Sequence, residues 1–254
     1  MHRTSLERTF SVQRASDRAC FDHGWLKTCH SFSFAGYYDP DNTNWGALRV
    51  LNDDRVAPGE GFPTHPHRDM EIITYVLEGQ LEHRDSTGSH GIVGAGGVQF
   101  MSAGTGVQHS EFNHSKTHPL HFLQMWVLPG KLGSEPTYGQ VEFNEAERLN
   151  RWLPVASGHR SVDAPITLTA DAAFLVTQVT DHGQVRHTFE PERLGFLFVA
   201  DGAAKAEALD DGDEVIATES LSTGDVIRMS SIVRVVLHGE ALAVLWDLPA
   251  SPSG

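Results

Sequence analysis

Cysteine is nearly absent from this chain: Cys20 and Cys29 are the only two in 254 residues. The two could pair, but two thiols make no disulfide framework, and the simpler expectation is a reduced, cytoplasmic setting. Basic residues are short as well, with 19 Lys and Arg against 33 Asp and Glu and a formal net charge of −14. A chain of this balance has no broad basic face to offer phosphates, which argues against direct nucleic-acid binding. No apolar run approaches the ~20 residues of a membrane span. The opening stretch MHRTSLERTFSVQRASDRAC lacks the apolar segment of a signal peptide. Helix signals are few. The best is NEAERLNRW (144–152), with Asn144 as N-cap and acidic residues in the first turn.

What the chain has instead is strand pattern. EIITYVL, GVQFMS, LHFLQMWVLP, GFLFVAD, DVIRMS, VRVVLHG and LAVLWDLP are short runs rich in β-branched and aromatic residues. Gly, Asp, Asn and Pro punctuate them about every ten residues, the rhythm of a sandwich or barrel. A weak internal repeat is present. ITYVLEGQLEHRDS (73–86) resembles FLFVADGAAKAEAL (196–209), and VGAGGVQFMSAG (93–104) resembles LSTGDVIRMSSI (221–232), in the same order. Two copies of one β-unit imply two similar domains, 1–135 and 136–254. The Gly- and Pro-rich stretch LPGKLGSEPTYGQ (128–140) is the best candidate linker.

Chemistry concentrates in two stretches of the first half. GFPTHPHRDMEIITYVLEG holds His65 and His67, and MSAGTGVQHSEFN holds His109 and Glu111. Side chains two residues apart on a strand share a face. Two such pairs on neighbouring strands bring three imidazoles and one carboxylate together. That donor set suits Fe(II), Mn, Ni, Cu or Zn, and it leaves one side of the metal open, as catalysis requires. Glu71 competes for the carboxylate position if the strand runs straight from 65 to 71. The bland reading of any one His-x-His pair is chance, because the chain has 15 histidines. His83, His90, His114, His118, His121 and His182 are expected at the surface or at strand ends and are assigned no role.

THPHRDMEIITYVLEG and MSAGTGVQHSEFN resemble the two motifs of a cupin. HGWLKTCHSFSFAGYYDP, ALRVLNDDRVAPGEGFPTHPH and LHFLQMWVLP narrow the resemblance to the pirin and bacterial quercetinase group of two-domain cupins. It is strong over residues 20 to 130 and weak beyond. The resemblance implies an all-β fold of two cupin (jelly-roll) barrels, the first holding a metal, usually iron, and the second degenerate. The general cupin pattern sets the carboxylate ligand at Glu71 and the pirin-like group sets it at Glu111; Glu111 is the expected ligand, with Glu71 as an acceptor that orients an imidazole N–H. Alignment of Gly202 with Gly79 sets Thr188, Glu190 and Leu194 where His65, His67 and Glu71 stand. The equivalents of His109 and Glu111 fall within 232–236, so no second metal cluster is expected.

The activity so implied is quercetin 2,3-dioxygenase chemistry on an aromatic substrate with O2, Glu111 serving as general base. The rival expectation is a non-enzymatic, iron-dependent regulator that binds a protein partner. A sugar-phosphate isomerase is disfavoured because no Lys/Arg set accompanies the motifs.

Overall fold

The computed structural model describes residues 7–180 and 182–250, so the first six residues of the opening stretch lie outside it. The chain is built almost wholly of strands. In order they are β1 (Thr9–Gln13), β2 (Ala19–Asp22), β3 (Leu26–His30), β4 (Leu48–Val56), β5 (Gly61–His67), β6 (Glu71–Glu78) and β7 (Gln80–Asp85). Then come β8 (His90–Gly94), β9 (Val98–Ser102), β10 (Val107–Asn113), β11 (Leu120–Val127) and β12 (Thr137–Val141). After α1 (Glu145–Arg148) follow β13 (Leu153–Ser157), β14 (Ile166–Thr167), β15 (Ala173–Val179) and β16 (Gln184–Thr188). The last four are β17 (Arg193–Leu209), β18 (Val215–Ser222), β19 (Val226–Ser230) and β20 (Arg234–Pro249).

The expected helix over 144–152 forms only one turn, α1. Asn150 adopts a left-handed φ of 51°, which an α-helix does not continue through.

The strands divide between two compact units. Among the described residues, one comprises 18–144 with 168–170; the other comprises 7–17, 145–167 and the described residues from 171 to 250. This division and the one drawn at residue 135 differ at both ends. β1 pairs along its whole length with β19, whereas β12 pairs with β9.

The first unit pairs a four-stranded sheet, β5-β10-β7-β8, with a seven-stranded one, β12-β9-β6-β11-β4-β3-β2. Apolar side chains fill its interior. Leu26, Val56, Val76, Leu81, Leu120 and Phe122 belong to one buried cluster, and Ile72, Met101, Ala103 and Val107 to another. The strand period of two is plain in β10: Val107, His109, Glu111 and Asn113 point inward while Gln108 and Phe112 are exposed. Cys20 and Cys29 are direct partners across β2 and β3 and are joined as a disulfide, contrary to the reduced expectation. Sequence spacing alone carries no register, and here the register sets the two thiols face to face.

The second unit is a nine-stranded sheet system around β17 and β20, its core including Leu197, Ile227, Leu237 and Leu245. Gly79 and Gly202, matched in the internal repeat, both take left-handed φ, +81° and +87°. A Cβ at either would strike a backbone oxygen, Pro119 at 2.5 Å or Glu240 at 2.1 Å, so the turn admits only glycine. At the positions aligned with the metal motif, Thr188 is exposed and Leu194 is buried. Beside them Asp247 accepts from Arg193 Nε at 2.6 Å and lies 2.8 Å from His187 Nε2. Arg193 also meets Asp171 at 3.0 Å. An ion-paired cluster thus lies next to the aligned positions in this unit.

Candidate metal centre

The four-stranded sheet sets the site. His109 on β10 lies directly opposite His65 on the edge strand β5, and on its other side opposite Asp85 of β7. Glu111 lies opposite His83. Residues directly paired across a ladder share a face, so His65, His67, His109, Glu111, His83 and Asp85 crowd one surface of the sheet. β5 carries Pro63 and Pro66, which an edge strand tolerates. Its register with β10 shifts by one residue between His109 and Glu111, a bulge that bends the strand beside the cluster.

His65 Nε2 and His109 Nε2 face each other at 3.0 Å. His65 Nδ1 lies 2.9 Å from the Pro63 carbonyl. A carbonyl only accepts, so Nδ1 carries the proton and Nε2 presents its lone pair. His67 completes the group, its ring 4.8 Å from both others, and one ligand atom from each of the three lies within 4.8 Å of the rest. Glu111 Oε2 is 4.0 Å from His109 Nε2. Both carboxylate oxygens of Glu111 are held: Gln99 Nε2 donates to Oε1 at 2.6 Å and Gln124 Nε2 to Oε2 at 2.7 Å.

Burial, aided by the neighbouring imidazoles, pushes His67 down to about 4 and His109 down to about 3. Both rings are therefore neutral at pH 7, the form that ligates metals. Lone pairs converging from three imidazoles beside a clamped carboxylate fit a divalent transition metal. An apolar-walled cavity of about 390 Å³ opens onto His65, His67 and Glu111, with Leu26, Phe34, Phe62 and Trp126 among its lining. Trp126 meets the His67 ring edge-to-face at 4.9 Å and Phe34 at 5.3 Å.

The family model for pirin matches residues 10–127. The quercetin 2,3-dioxygenase of Escherichia coli O157:H7 is 37% identical over 238 residues, covering 94% of this chain and 98% of that protein. A pirin-like protein of Caulobacter vibrioides is 42% identical over 188 residues, 74% of this chain and 81% of that one. This chain belongs to the pirin family. Among solved structures, the bacterial pirin YhhW from Escherichia coli in complex with nickel(II) matches with a TM-score of 0.83 and 36% identity, covering 94% of this chain and 99% of that one. The all-β bicupin expectation agrees with these relatives.

Several residues of this pirin sit where the sequence does not place them. Glu71 makes no imidazole contact among the hydrogen bonds of the described residues. The strand is interrupted at Asp69, whose φ of 48° turns the chain between β5 and β6. Glu71 is fully buried and accepts the backbone N–H groups of Thr169 at 2.7 Å and Ala170 at 3.1 Å. Burial raises its pKa above the usual carboxylate range. Glu71→Ala orphans the buried N–H of Ala170 and the part-buried N–H of Thr169 and should cost about 1–3 kcal/mol in denaturant unfolding. Metal content of the refolded variant should stay at the wild-type level.

His83 is likewise no surface residue. It is 0% exposed, stacks on Tyr138 at 4.3 Å, and its Nε2 lies 3.0 Å from Asp85 Oδ2. With His109 and Glu111 it forms a second group of potential ligands. The alternation Leu81–His83–Asp85 along the hairpin strand was the available signal. His121 is also buried, 2.6 Å from Asp53. His90 and His114 are exposed, each near Glu82.

The lowered histidines fix a pH dependence for the metal-free protein. His30, His67 and His109 are pushed down to about 4, 4 and 3, chiefly by burial. Unfolding returns each to about 6.5, so the unfolded chain binds more protons below that pH and stability is lost as pH falls. Asp54, pushed up to about 7 by burial, and Glu71, raised by burial, have the opposite sign, two groups against three. The melting temperature of the metal-free protein should therefore drop by ~5 °C or more between pH 7 and pH 5. An unchanged or rising melting temperature in differential scanning calorimetry would contradict this assignment.

Proposed function

We propose that this chain is a metal-dependent dioxygenase of the quercetin 2,3-dioxygenase type, acting on a flavonol or a similar enol or phenol. The observation that carries the reading is the cluster of His65, His67 and His109, with Glu111 4.0 Å from His109, beside an aromatic-lined cavity. In this reading His65, His67, His109 and Glu111 hold one divalent metal. Iron(II) is expected from the resemblance, and Cu, Ni, Mn and Zn share the donor preference. When bound, the metal supplies a cationic centre that stabilises an enolate and gives dioxygen redox access to it.

The chain's own residues do the rest. The Pro63 carbonyl fixes the His65 tautomer and ring. Gln99 and Gln124 clamp Glu111 through their amides and hold its oxygens toward the cavity. Glu111 takes the proton of the substrate hydroxyl as general base. Phe34, Phe62 and Trp126 offer apolar faces to a flat ring system and limit water at the reacting carbon. Balance requires one O2 consumed and one carbon monoxide released per flavonol, both oxygen atoms entering the products.

An oxygen electrode tests this directly. Metal-loaded protein should consume O2 in a 1:1 ratio with quercetin, and metal-free protein should not. Absence of uptake with iron, nickel and copper alike would instead favour the regulator that binds a protein partner.

A further inference from the structure

The seven-stranded sheet carries a polar row that the metal centre uses only in part. Register sets Gln99, Thr74, Gln124, Asn52 and His30 side by side on five successive strands, all facing the same way. Asp54 lies two residues along β4 from Asn52, hence on the same face. Polar side chains in the middle of otherwise apolar strands are costly unless partnered. Gln99 and Gln124 each direct their amide nitrogen to Glu111.

The other end of the row is not accounted for. Asn52, Asp54 and His30 are 2%, 2% and 4% exposed, and all three line the cavity onto which the histidines open. Asn52 Oδ1, Asp54 Oδ1 and His30 Nδ1 are buried and find no hydrogen-bond partner among the described residues. Two of these atoms are oxygens that accept, and an acceptor calls for a ligand that donates. Leu26, Phe34 and Phe62 line the same cavity, so the expected ligand is a flat apolar body bearing O–H groups.

We infer that Asn52, Asp54 and His30 form a hydroxyl-recognition subsite on the sheet that faces the histidines, selecting planar aromatics that carry phenolic hydroxyls remote from the metal-binding oxygen. The inference rests on the dioxygenase reading and narrows its substrate class. A plain aromatic enol satisfies the metal but leaves these buried acceptors unpaired. Sites built to bond a hydroxyl reject the analogue that lacks it more strongly than apolar pockets reject size changes.

The test compares quercetin with 3-hydroxyflavone, which keeps the enol–ketone head and has no other hydroxyl. Dissociation constants are measured anaerobically by tryptophan fluorescence on nickel-loaded protein, so that turnover plays no part. The wild type should bind quercetin at least ~10-fold more tightly than 3-hydroxyflavone, the worth of about one buried hydrogen bond. Asn52→Leu and Asp54→Leu, near-isosteric changes, should each bring the ratio of the two constants close to one. Nickel stoichiometry checks the fold of each variant, and Asn52→Ser replaces one that fails. A wild-type ratio near one, or a ratio kept in every folded variant, overturns the subsite while leaving the dioxygenase reading in place. Failure of wild type to bind either compound overturns both.

Discussion

Replacing His109 by alanine is expected to empty the metal centre. His109 is the member shared by both groups of potential ligands, and it stands at the middle of the sheet face with His65 on one side and Asp85 on the other. Changes to residues that merely orient a ligand cost 10–100-fold in metal affinity, so loss of a ligand should cost more than ~100-fold. Purified wild type should carry about one metal per chain, and His109→Ala less than about a tenth of that under the same dialysis. The variant should still fold, because the imidazole contributes little to the apolar clusters of the unit. It should also lose the thermal stabilisation that metal gives the wild type, which follows from binding to the folded state alone. Full occupancy in His109→Ala would mean the metal sits elsewhere.

The second large effect is expected at Glu111. Glu111→Gln keeps the shape and removes the anion. Glu111 is only 1% exposed and both its oxygens accept from amide nitrogens. The glutamine would set an NH2 against one of those donors, so Gln99 or Gln124 must rotate. Oxygenation at neutral pH should fall by ~10²–10⁴-fold, the range for a lost general base. Metal content measured in the same sample separates a lost base from a lost ligand. Gln124→Leu is the companion variant. It removes one clamp without touching the carboxylate and should lower metal affinity by ~10–100-fold, the range for orienting partners. If Glu111→Gln retained both its metal and the wild-type rate, another group would be the base.

The legible part of this protein was local. His65-x-His67 and His109-x-Glu111 follow from a period of two, and the structure brings the three imidazoles and the carboxylate to one sheet face. What was not legible depended on register between strands far apart in sequence. Gln99 and Gln124 are 25 residues apart by number, yet both reach Glu111 because β9, β6 and β11 are neighbours in one sheet. A lone glutamine inside GVQFMS and another inside LHFLQMWVLP were the available signals, each a polar residue within a buried run. A histidine count of 15 makes each single one uninformative, and the Leu81–His83–Asp85 alternation gains its meaning only from the pairing of His83 with Glu111. Glu71 shares a face with His65 and His67 only on a straight strand, and the left-handed φ of Asp69 breaks that strand between them. The division of the chain depends on β1 and β12, whose partners β19 and β9 no local pattern announces.

Anomalous diffraction from crystals of the metal-loaded protein, recorded on both sides of the metal absorption edge, tests the centre most directly. The proposed reading expects one strong peak bonded by the imidazoles of His65, His67 and His109 and by a carboxylate oxygen of Glu111, with its open side toward the cavity lined by Phe34 and Trp126. A peak held by His83 without His65 and His67, or one among the residues beyond 145, would contradict it.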